Sequence, residues 1–138
     1  MKRAWIAVFT CILIIMAAVF STGILSAMQC MVIKVTPINA AKRSVSLHPE
    51  TLNAAQGDCV VWFNATRTSI KVTLLDGEKC ASVSGAPVGF VLDEECFSTA
   101  WMDVGATASV RFMEGGTYRF AVTTQSDPNE VEGTINVE

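Results

Sequence analysis

The chain has 138 residues and a net charge of −3, with ten Lys and Arg residues against thirteen Asp and Glu residues. This length fits one domain of ordinary size plus an N-terminal extension. So few scattered cations cannot form the basic face that nucleic acid binding requires, so we expect no nucleic acid partner. Hydrophobic residues make up 51% of the chain, which is near the usual value for globular domains. The positive mean hydropathy of +0.41 must therefore come from one concentrated segment.

That segment lies at the N-terminus. After a basic start at residues 1–3, residues 4–33 contain no charged side chain, and about 20 apolar residues are enough to span a bilayer as a helix. Two interpretations stay open. A cleaved signal peptide would use Ser21-Thr22-Gly23 as its small-residue exit, whereas the apolar residues that continue to Ile33 favour an uncleaved transmembrane anchor over residues 1–33. Either interpretation exports the rest of the chain.

The charges on the two sides of this segment predict its orientation. Lys2 and Arg3 lie on a very short tail, which favours retention of the N-terminus in the cytoplasm. Residues 34–43, which contain one proline and three cations, weaken the charge contrast without reversing it, and they are predicted to form a short tether. We therefore expect a single-pass protein of the cytoplasmic membrane, with its C-terminal domain in the periplasm or extracellular space.

Five cysteines fit this exported location. Cys11 and Cys30 lie in the apolar segment, which leaves Cys59, Cys80 and Cys96 in the exported part. Two of these three should pair in an oxidising compartment. We predict a Cys80–Cys96 disulfide, because these two flank a loop-like stretch whose closure is worth about 3 kcal/mol in the chain-entropy model. Cys59 lies inside an apolar strand pattern and is predicted to be a small buried hydrophobe.

From Val45 to the C-terminus, short alternating segments are separated by turn residues. In the clearest of them Ile70, Val72 and Leu74 alternate with polar residues, which is the period of a strand. No helical period of useful length occurs after residue 34, and residues 77–105 are the least regular part. Short strands separated by turns over about 95 residues predict a β-sandwich. The predicted strands cover residues 44–47, 50–55, 59–64, 69–75, 88–92, 96–102, 107–113, 117–124 and 131–137.

Three stretches match one known pattern in order and spacing. "LHPETLNAAQGDCVVWFN" (47–64) leads through Gly-Asp into a "V-x-W-x-N" strand, "VGATASVRFMEGGTYRFAV" (104–122) contains a Gly-Thr-Tyr turn between two strands, and "EGTINV" (132–137) gives a terminal "G-x-I-x-V" strand. In these features residues 44–138 resemble the cupredoxin family. The resemblance implies an all-β, cupredoxin-like Greek-key β-sandwich over residues 44–138, preceded by the single N-terminal transmembrane helix.

The resemblance also implies where copper ligands would lie. A type 1 copper site takes two imidazoles, a thiolate and a weak axial sulfur. The matching positions hold Ser69 or Ile70 for the first His, Val122 for the Cys, Gln125, Ser126 or Asp127 for the second His, and Val131 for the Met. None of these residues is the family's ligand, so we predict no copper and no other cofactor.

A non-standard copper site is the alternative. Met102, Met113 and Cys59 offer soft ligands for Cu(I), which would make the chain a periplasmic copper-binding or electron-carrier protein, although Met at strand edges usually fills gaps in the core. His48, the single histidine, precedes Pro49 and is interpreted as an exposed strand-end residue.

Enzyme chemistry has little support in these residues, because one histidine without a paired nucleophile gives no base for nucleophilic catalysis. Residues 93–95, Asp-Glu-Glu, are predicted to be a solvated loop, since calcium loops interleave their ligands with a turn glycine. Asn64-Ala65-Thr66 fits the N-glycosylation pattern. The predicted function is therefore that of a structural or protein-binding subunit. The family context implies that this subunit belongs to a membrane electron-transfer complex. The loops in residues 77–105 and 123–131 are predicted to contact the partner.

Overall fold

The computed structural model of the protein describes residues 28–38, 45–94 and 96–138. Our predictions for residues 1–27, which hold Cys11 and most of the predicted anchor, and for residues 39–44 and Glu95, lie outside these described residues. Within the described part of the chain, no helix has both the length and the apolar character needed to cross a membrane.

The described residues form two β-sheets. One sheet has five strands in the order β2-β1-β4-β9-β6, and the other has six in the order β3-β11-β10-β5-β8-β7. The β-sandwich predicted from the alternating pattern is therefore confirmed. The elements are β1 (Cys30–Pro37), β2 (Val45–His48), β3 (Thr51–Ala54), β4 (Cys59–Asn64), β5 (Ile70–Leu74), α1 (Glu78–Val83), β6 (Ser84–Val88), β7 (Phe90–Asp93), β8 (Cys96–Thr99), β9 (Thr107–Phe112), β10 (Gly116–Thr124) and β11 (Asp127–Val137).

The strand register defines two ends of the sandwich. At one end Cys59, the first residue of β4, pairs with Arg111 near the end of β9, and we call this end the base. At the other end β4 finishes at Asn64, and Ile70 forms an isolated bridge with Met102. We call this second end the distal pole, formed by the loop residues 65–69, 100–106 and 125–126.

Alternation along the strands supplies the core. The Trp62 ring meets the rings of Phe120 and Phe90 edge-on, with centroids 5.4 Å and 5.3 Å away, which is a favoured aromatic arrangement. The inward faces of β4 and β10 therefore interleave between the sheets. Their residues are all at most 1% exposed: Val60 and Trp62 from β4, and Tyr118, Phe120 and Val122 from β10.

Two turn glycines adopt backbone conformations that favour glycine. Gly57 has a φ of 85° and Gly116 a φ of 148°, values that residues with a Cβ rarely adopt. A Cβ at Gly116 would also lie 2.9 Å from Lys79 Nζ. In the same turn the Tyr118 hydroxyl donates to the Glu114 carbonyl oxygen at 3.0 Å, so the Gly-Thr-Tyr motif closes the connection between β9 and β10.

Strand β1 contains residues that the sequence assigns to the anchor and the tether. It pairs in parallel with β4 and antiparallel with β2, and its residues Ile33 and Val35 are fully buried. The predicted boundaries at residues 33 and 43 are therefore wrong, because the sandwich includes residues 30–37. The apolar run continues directly into the inward-facing residues of this strand, so composition does not separate the two.

A disulfide that the sequence analysis does not predict joins β1 to β4. Cys30 and Cys59 are bonded, with Cα atoms 4.4 Å apart, and they are partners in the β1–β4 register. The prediction of Cys59 as an unpaired hydrophobe is wrong, because it assigns its partner Cys30 to the membrane. The Cys80–Cys96 disulfide is present as predicted, with Cα atoms 5.6 Å apart, and it joins α1 to β8.

Helix α1 and strand β6 are elements that the sequence pattern does not predict. The helix has six residues, which is too short for a helical period to show. Strand β6 contains Ala86 at a φ of 48° followed by Pro87, and its pairing with β9 shifts register between Gly85 and Val88. Such residues are typical of loops, and only the neighbouring strand β9 makes them a sheet edge.

Candidate functional site

Asn64 holds the distal pole together. Its side chain is fully buried, and its Nδ2 donates to the carbonyl oxygens of Thr68 and Met102, both at 2.9 Å. Its Oδ1 accepts from the Thr66 amide at 3.0 Å and from Thr66 Oγ1 at 2.7 Å. Because this amide is buried and fully hydrogen-bonded, the Asn64-Ala65-Thr66 glycosylation pattern is inaccessible in the folded protein.

The positions that the resemblance assigns to copper ligands lie together at this pole. Strand β5 pairs with β10 so that Ile70 is opposite Thr124, and the Gln125 amide donates to the Ser69 carbonyl oxygen at 3.0 Å. In the adjacent β10–β11 pair, Val122 is opposite Val131. The pairing of β5, β10 and β11 therefore brings these positions close together.

The side chains at these positions do not suit type 1 copper, which needs imidazole and thiolate donors. Ile70 and Val122 are fully buried hydrocarbons, and Val131 packs against the core. Ser69 Oγ donates to Asp103 Oδ1 at 3.0 Å. Within residues 28–38, 45–94 and 96–138, no group of three or more His, Cys, Asp or Glu side chains is arranged to hold a metal ion.

The turn between β10 and β11 closes on itself. Thr124 Oγ1 accepts from the Asp127 amide at 3.0 Å and donates to the Asp127 carbonyl oxygen at 3.2 Å. The Asp127 carboxylate accepts from the Asn129 amide at 3.1 Å and from Asn129 Nδ2 at 2.7 Å. The polar atoms of Thr124 and Asp127 are therefore used to shape this short turn.

Apolar side chains are exposed at the same pole. Trp101 is 48% exposed and Val104 is 59% exposed, on either side of the buried Met102. Ile38, just beyond the end of β1, is 60% exposed. We call Ile38, Trp101 and Val104 the apolar cap. Large exposed apolar side chains at one end of the domain make this end the candidate interaction surface, and sequence periodicity alone gives no sign of this cap.

The three residues of the Met and Cys alternative do not converge. Met102 lies at the distal pole, in a bridge with Ile70, whereas Met113 follows β9 at the base. Cys59 is also at the base, and its sulfur is in the disulfide with Cys30. These residues therefore cannot form one soft Cu(I) site.

The remaining candidates lie away from the distal pole. His48 is exposed at the end of β2, with Nε2 3.1 Å from Ser46 Oγ. Asp93 and Glu94 are exposed, as predicted. They line an open cavity of about 440 Å³, together with Thr73, Leu74, Leu75, Gly77, Cys96 and Ser98. The cysteine in this lining is held in the disulfide with Cys80, so the cavity has no free thiol from Cys96.

The base is organised around the Asp58 carboxylate. Its Oδ1 accepts from the Gln29 amide and its Oδ2 from the Ala55 amide, both at 3.0 Å. These two backbone hydrogen bonds, the one from Gln29 first, lower the pKa of Asp58 below its usual 3.8, with a smaller contribution from Arg111. The carboxylate therefore fixes the segment that enters the sandwich.

We expect low pH to weaken the hydrogen bonds that the Asp58 carboxylate accepts from the Gln29 and Ala55 amides. Because the pKa of Asp58 is lower in the folded state, its contribution to stability is present above the unfolded-state pKa and is lost as the pH falls through the folded-state pKa. Asp58→Asn should flatten the dependence of the unfolding free energy on pH below about pH 4. Urea unfolding of the detergent-solubilised protein over a pH series measures this, and equal slopes for wild type and variant would contradict the prediction.

Comparisons with known proteins support the assignment of the fold. No protein-family model matches the chain, and no curated protein matches it. The matching solved structures include three amicyanin variants, each covering 79% of this chain and 82% of the amicyanin chain at a TM-score of 0.52. They are a methionine-to-alanine variant in the Cu(I) form at 22% identity, an oxidised proline-to-alanine variant at 23%, and a reduced tryptophan-to-tyrosine variant at 21%. Together with the two sheets and the order of the sequence motifs, these matches identify the fold of the chain as cupredoxin-like.

Proposed function

We propose that this chain is a membrane-anchored, extracytoplasmic cupredoxin-like module without type 1 copper, which acts as a structural or protein-binding subunit of a membrane complex. The chemistry of the ligand positions carries the proposal. Ile70, Val122 and Val131 have hydrocarbon side chains, and the first two are fully buried. A pole built from such residues serves for packing and binding, and the domain carries no electrons through copper. A membrane electron-transfer complex is the setting that the fold suggests.

The apolar cap is the proposed contact with the partner protein. Asn64 fixes the loop that precedes β5 relative to Met102, so Trp101 and Val104 extend from a rigid platform. Large aromatic residues on rigid supports are the usual energetic centres of protein interfaces. Within the predicted contact segments 77–105 and 123–131, the proposed contact is limited to Trp101 and Val104, because much of each segment lies in strands.

The apolar N-terminal segment supports anchoring in the membrane. Residues 4–27 contain no charged residue and are long enough to span a bilayer as a helix, with Lys2 and Arg3 on the cytoplasmic side. Small residues along one part of this segment would let it pack closely against helices of other subunits. These small residues are Ser21, Thr22, Gly23, Ser26 and Ala27.

Purification of the full-length protein in mild detergent tests the proposal. We expect membrane-complex subunits to co-purify with the wild type. Trp101→Ser should reduce their recovery at least about tenfold, because truncation of an aromatic interface anchor costs about 2 kcal/mol or more, and Val104→Ser should reduce it by a smaller factor. Val91→Ser is the matched control, since Val91 is 67% exposed but lies on strand β7, and its recovery should equal that of the wild type.

The same preparation tests the absence of copper. Stoichiometric copper in the purified protein, or a strong visible charge-transfer band after Cu(II) is added, would contradict the proposed function. Equal partner recovery for the Trp101, Val104 and Val91 variants would contradict the assignment of the cap as the contact surface.

A further inference from the structure

The chain enters the sandwich through a segment that is bonded to the base at each residue. Both backbone polar groups of Gln29 are used, because its amide donates to Asp58 Oδ1 at 3.0 Å and its carbonyl oxygen accepts from the Cys59 amide at 2.9 Å. The next residue, Cys30, is in the disulfide with Cys59. Before them, Met28 Sδ accepts a hydrogen bond from Arg111 Nη1 at 2.7 Å.

This attachment leaves little chain between the domain and the proposed anchor. A helix needs about 20 residues to span a bilayer, so a helix within residues 4–27 ends at most about four residues before Met28. Even fully extended, residues 24–29 span at most about 22 Å at roughly 3.6 Å each, so the base stays close to the end of the anchor. The short tether predicted for residues 34–43 therefore does not connect the anchor to the sandwich, because residues 30–37 already form β1.

We propose that the base of the sandwich lies directly against the lipid headgroups on the outer face of the membrane. The Cys30–Cys59 disulfide and the short connection to the anchor hold it in one orientation. This inference rests on the proposed function, because it requires that the anchor is retained. The occupant of the base is the phospholipid headgroup layer, and the position at which the apolar segment joins the base argues for it.

The side chains at the base are compatible with this location. Met28 and Met113 are 66% and 51% exposed, and both can enter the apolar edge of the headgroup layer. Arg111 and Lys79 add two cations at this end, where Arg111 Nη1 donates to Met28 Sδ and Lys79 Nζ donates to the Thr117 carbonyl oxygen. The acids at this end oppose attraction to an anionic surface, so the short connection to the anchor rather than charge holds the base in place. These acids are Asp58, Glu78, Glu114 and Glu138.

The orientation also restricts the class of partner. Strand β4 runs from Cys59 at the base to Asn64 at the distal pole, and its six residues span about 20 Å at roughly 3.3 Å each. The apolar cap therefore stands about 20 Å or more above the headgroups. A partner that contacts the cap must have a domain outside the membrane, and a bundle of transmembrane helices alone would not reach it.

Depth-dependent quenching of a fluorophore tests the orientation. Full-length protein is placed in phosphatidylcholine nanodiscs that contain a small fraction of headgroup-attached quencher. A fluorescent unnatural amino acid replaces either Met113 at the base or Val104 in the cap. We expect quenching to be several-fold stronger at position 113 than at position 104, because the quencher acts only near the headgroups.

A variant with a longer connection between the anchor and the sandwich is the matched control. A flexible Gly-Ser insert of about 20 residues between Ala27 and Met28 leaves the sandwich and both disulfides intact, and it adds a root-mean-square reach of about 25 Å. The difference between positions 113 and 104 should then disappear. Equal quenching at both positions in the original protein, or a difference that survives the insert, would overturn the orientation.

The mass of the same sample separates this inference from the proposed function. A mass that lacks the N-terminal segment would remove the anchor, and the proposed function with it. An intact mass with equal quenching at positions 113 and 104 would overturn the orientation alone and leave membrane anchoring in place.

Discussion

Asn64→Ala is expected to destabilise the sandwich by about 3 kcal/mol. The substitution removes four hydrogen bonds from a fully buried site. The Met102 carbonyl oxygen still accepts from the Ile70 amide at 3.0 Å, but the Thr66 amide loses its acceptor. A buried donor without a partner costs more than the bond itself contributes. Chemical unfolding of the full-length protein in detergent measures the change.

Two further variants separate hydrogen bonding from shape at this position. Asn64→Asp keeps the size and the acceptor Oδ1 but turns the Nδ2 donor into an oxygen that faces the carbonyl oxygens of Thr68 and Met102. It should therefore destabilise at least as much as alanine. Asn53→Ala is the control, because Asn53 is exposed and accepts one hydrogen bond, from Asn136 Nδ2 at 3.1 Å, so its effect should stay within about 0.5 kcal/mol. An aspartate variant as stable as the wild type would contradict the role of the two donated hydrogen bonds.

Elements that carry their own period could be predicted from the sequence. Ile70, Val72 and Leu74 alternate with polar residues and form the inward face of β5, and β4 and β9 follow their predicted ranges closely. In each of these strands, one face meets the core and the other meets solvent, so the burial pattern is present in the local sequence.

Elements that depend on distant partners could not be predicted in this way. Strand β1 follows the apolar run without a break, and only its pairing with β4 shows that Ile33 belongs to the core. The role of Cys30 depends on the same pairing. Helix α1 is too short to have a period, and β6 becomes a strand only because β9 lies beside it.

The candidate site was also only partly predictable from the sequence. The family resemblance places Ser69, Ile70, Val122, Gln125 and Val131 at related positions, and the β5–β10 and β10–β11 pairings bring these positions together. The apolar cap could not be predicted, because Trp101 falls in the predicted strand 96–102. Strand β8 ends at Thr99, so the side chain of Trp101 lies outside the sheet, where it is exposed.

Gly133 shows how one position in the terminal "G-x-I-x-V" motif follows from packing. In the β10–β11 register Gly133 is opposite Phe120, whose fully buried ring also packs against Trp62. A Cβ at Gly133 would overlap Phe120 Cζ and lie 2.7 Å from Phe120 Cε1. On another side it would lie 2.9 Å from the Glu50 carbonyl oxygen, which accepts from the Thr134 amide at 2.9 Å. Neither neighbour can move away without breaking other contacts.

Gly133→Ala should therefore destabilise the sandwich by about 3 kcal/mol, at the upper end of the range for overpacking. Gly85→Ala is the matched control, because its Cβ would meet only the exposed side chain of Met113, at 3.4 Å, and its effect should be less than about 1 kcal/mol. Phe120→Leu shortens the opposing side chain and makes room for the new Cβ. The double variant should therefore lose at least about 1 kcal/mol less unfolding free energy than the two single variants lose together. Unfolding free energies of the four proteins in the Gly133 and Phe120 cycle measure this coupling. Strictly additive effects would show that Phe120 is not what requires glycine at position 133.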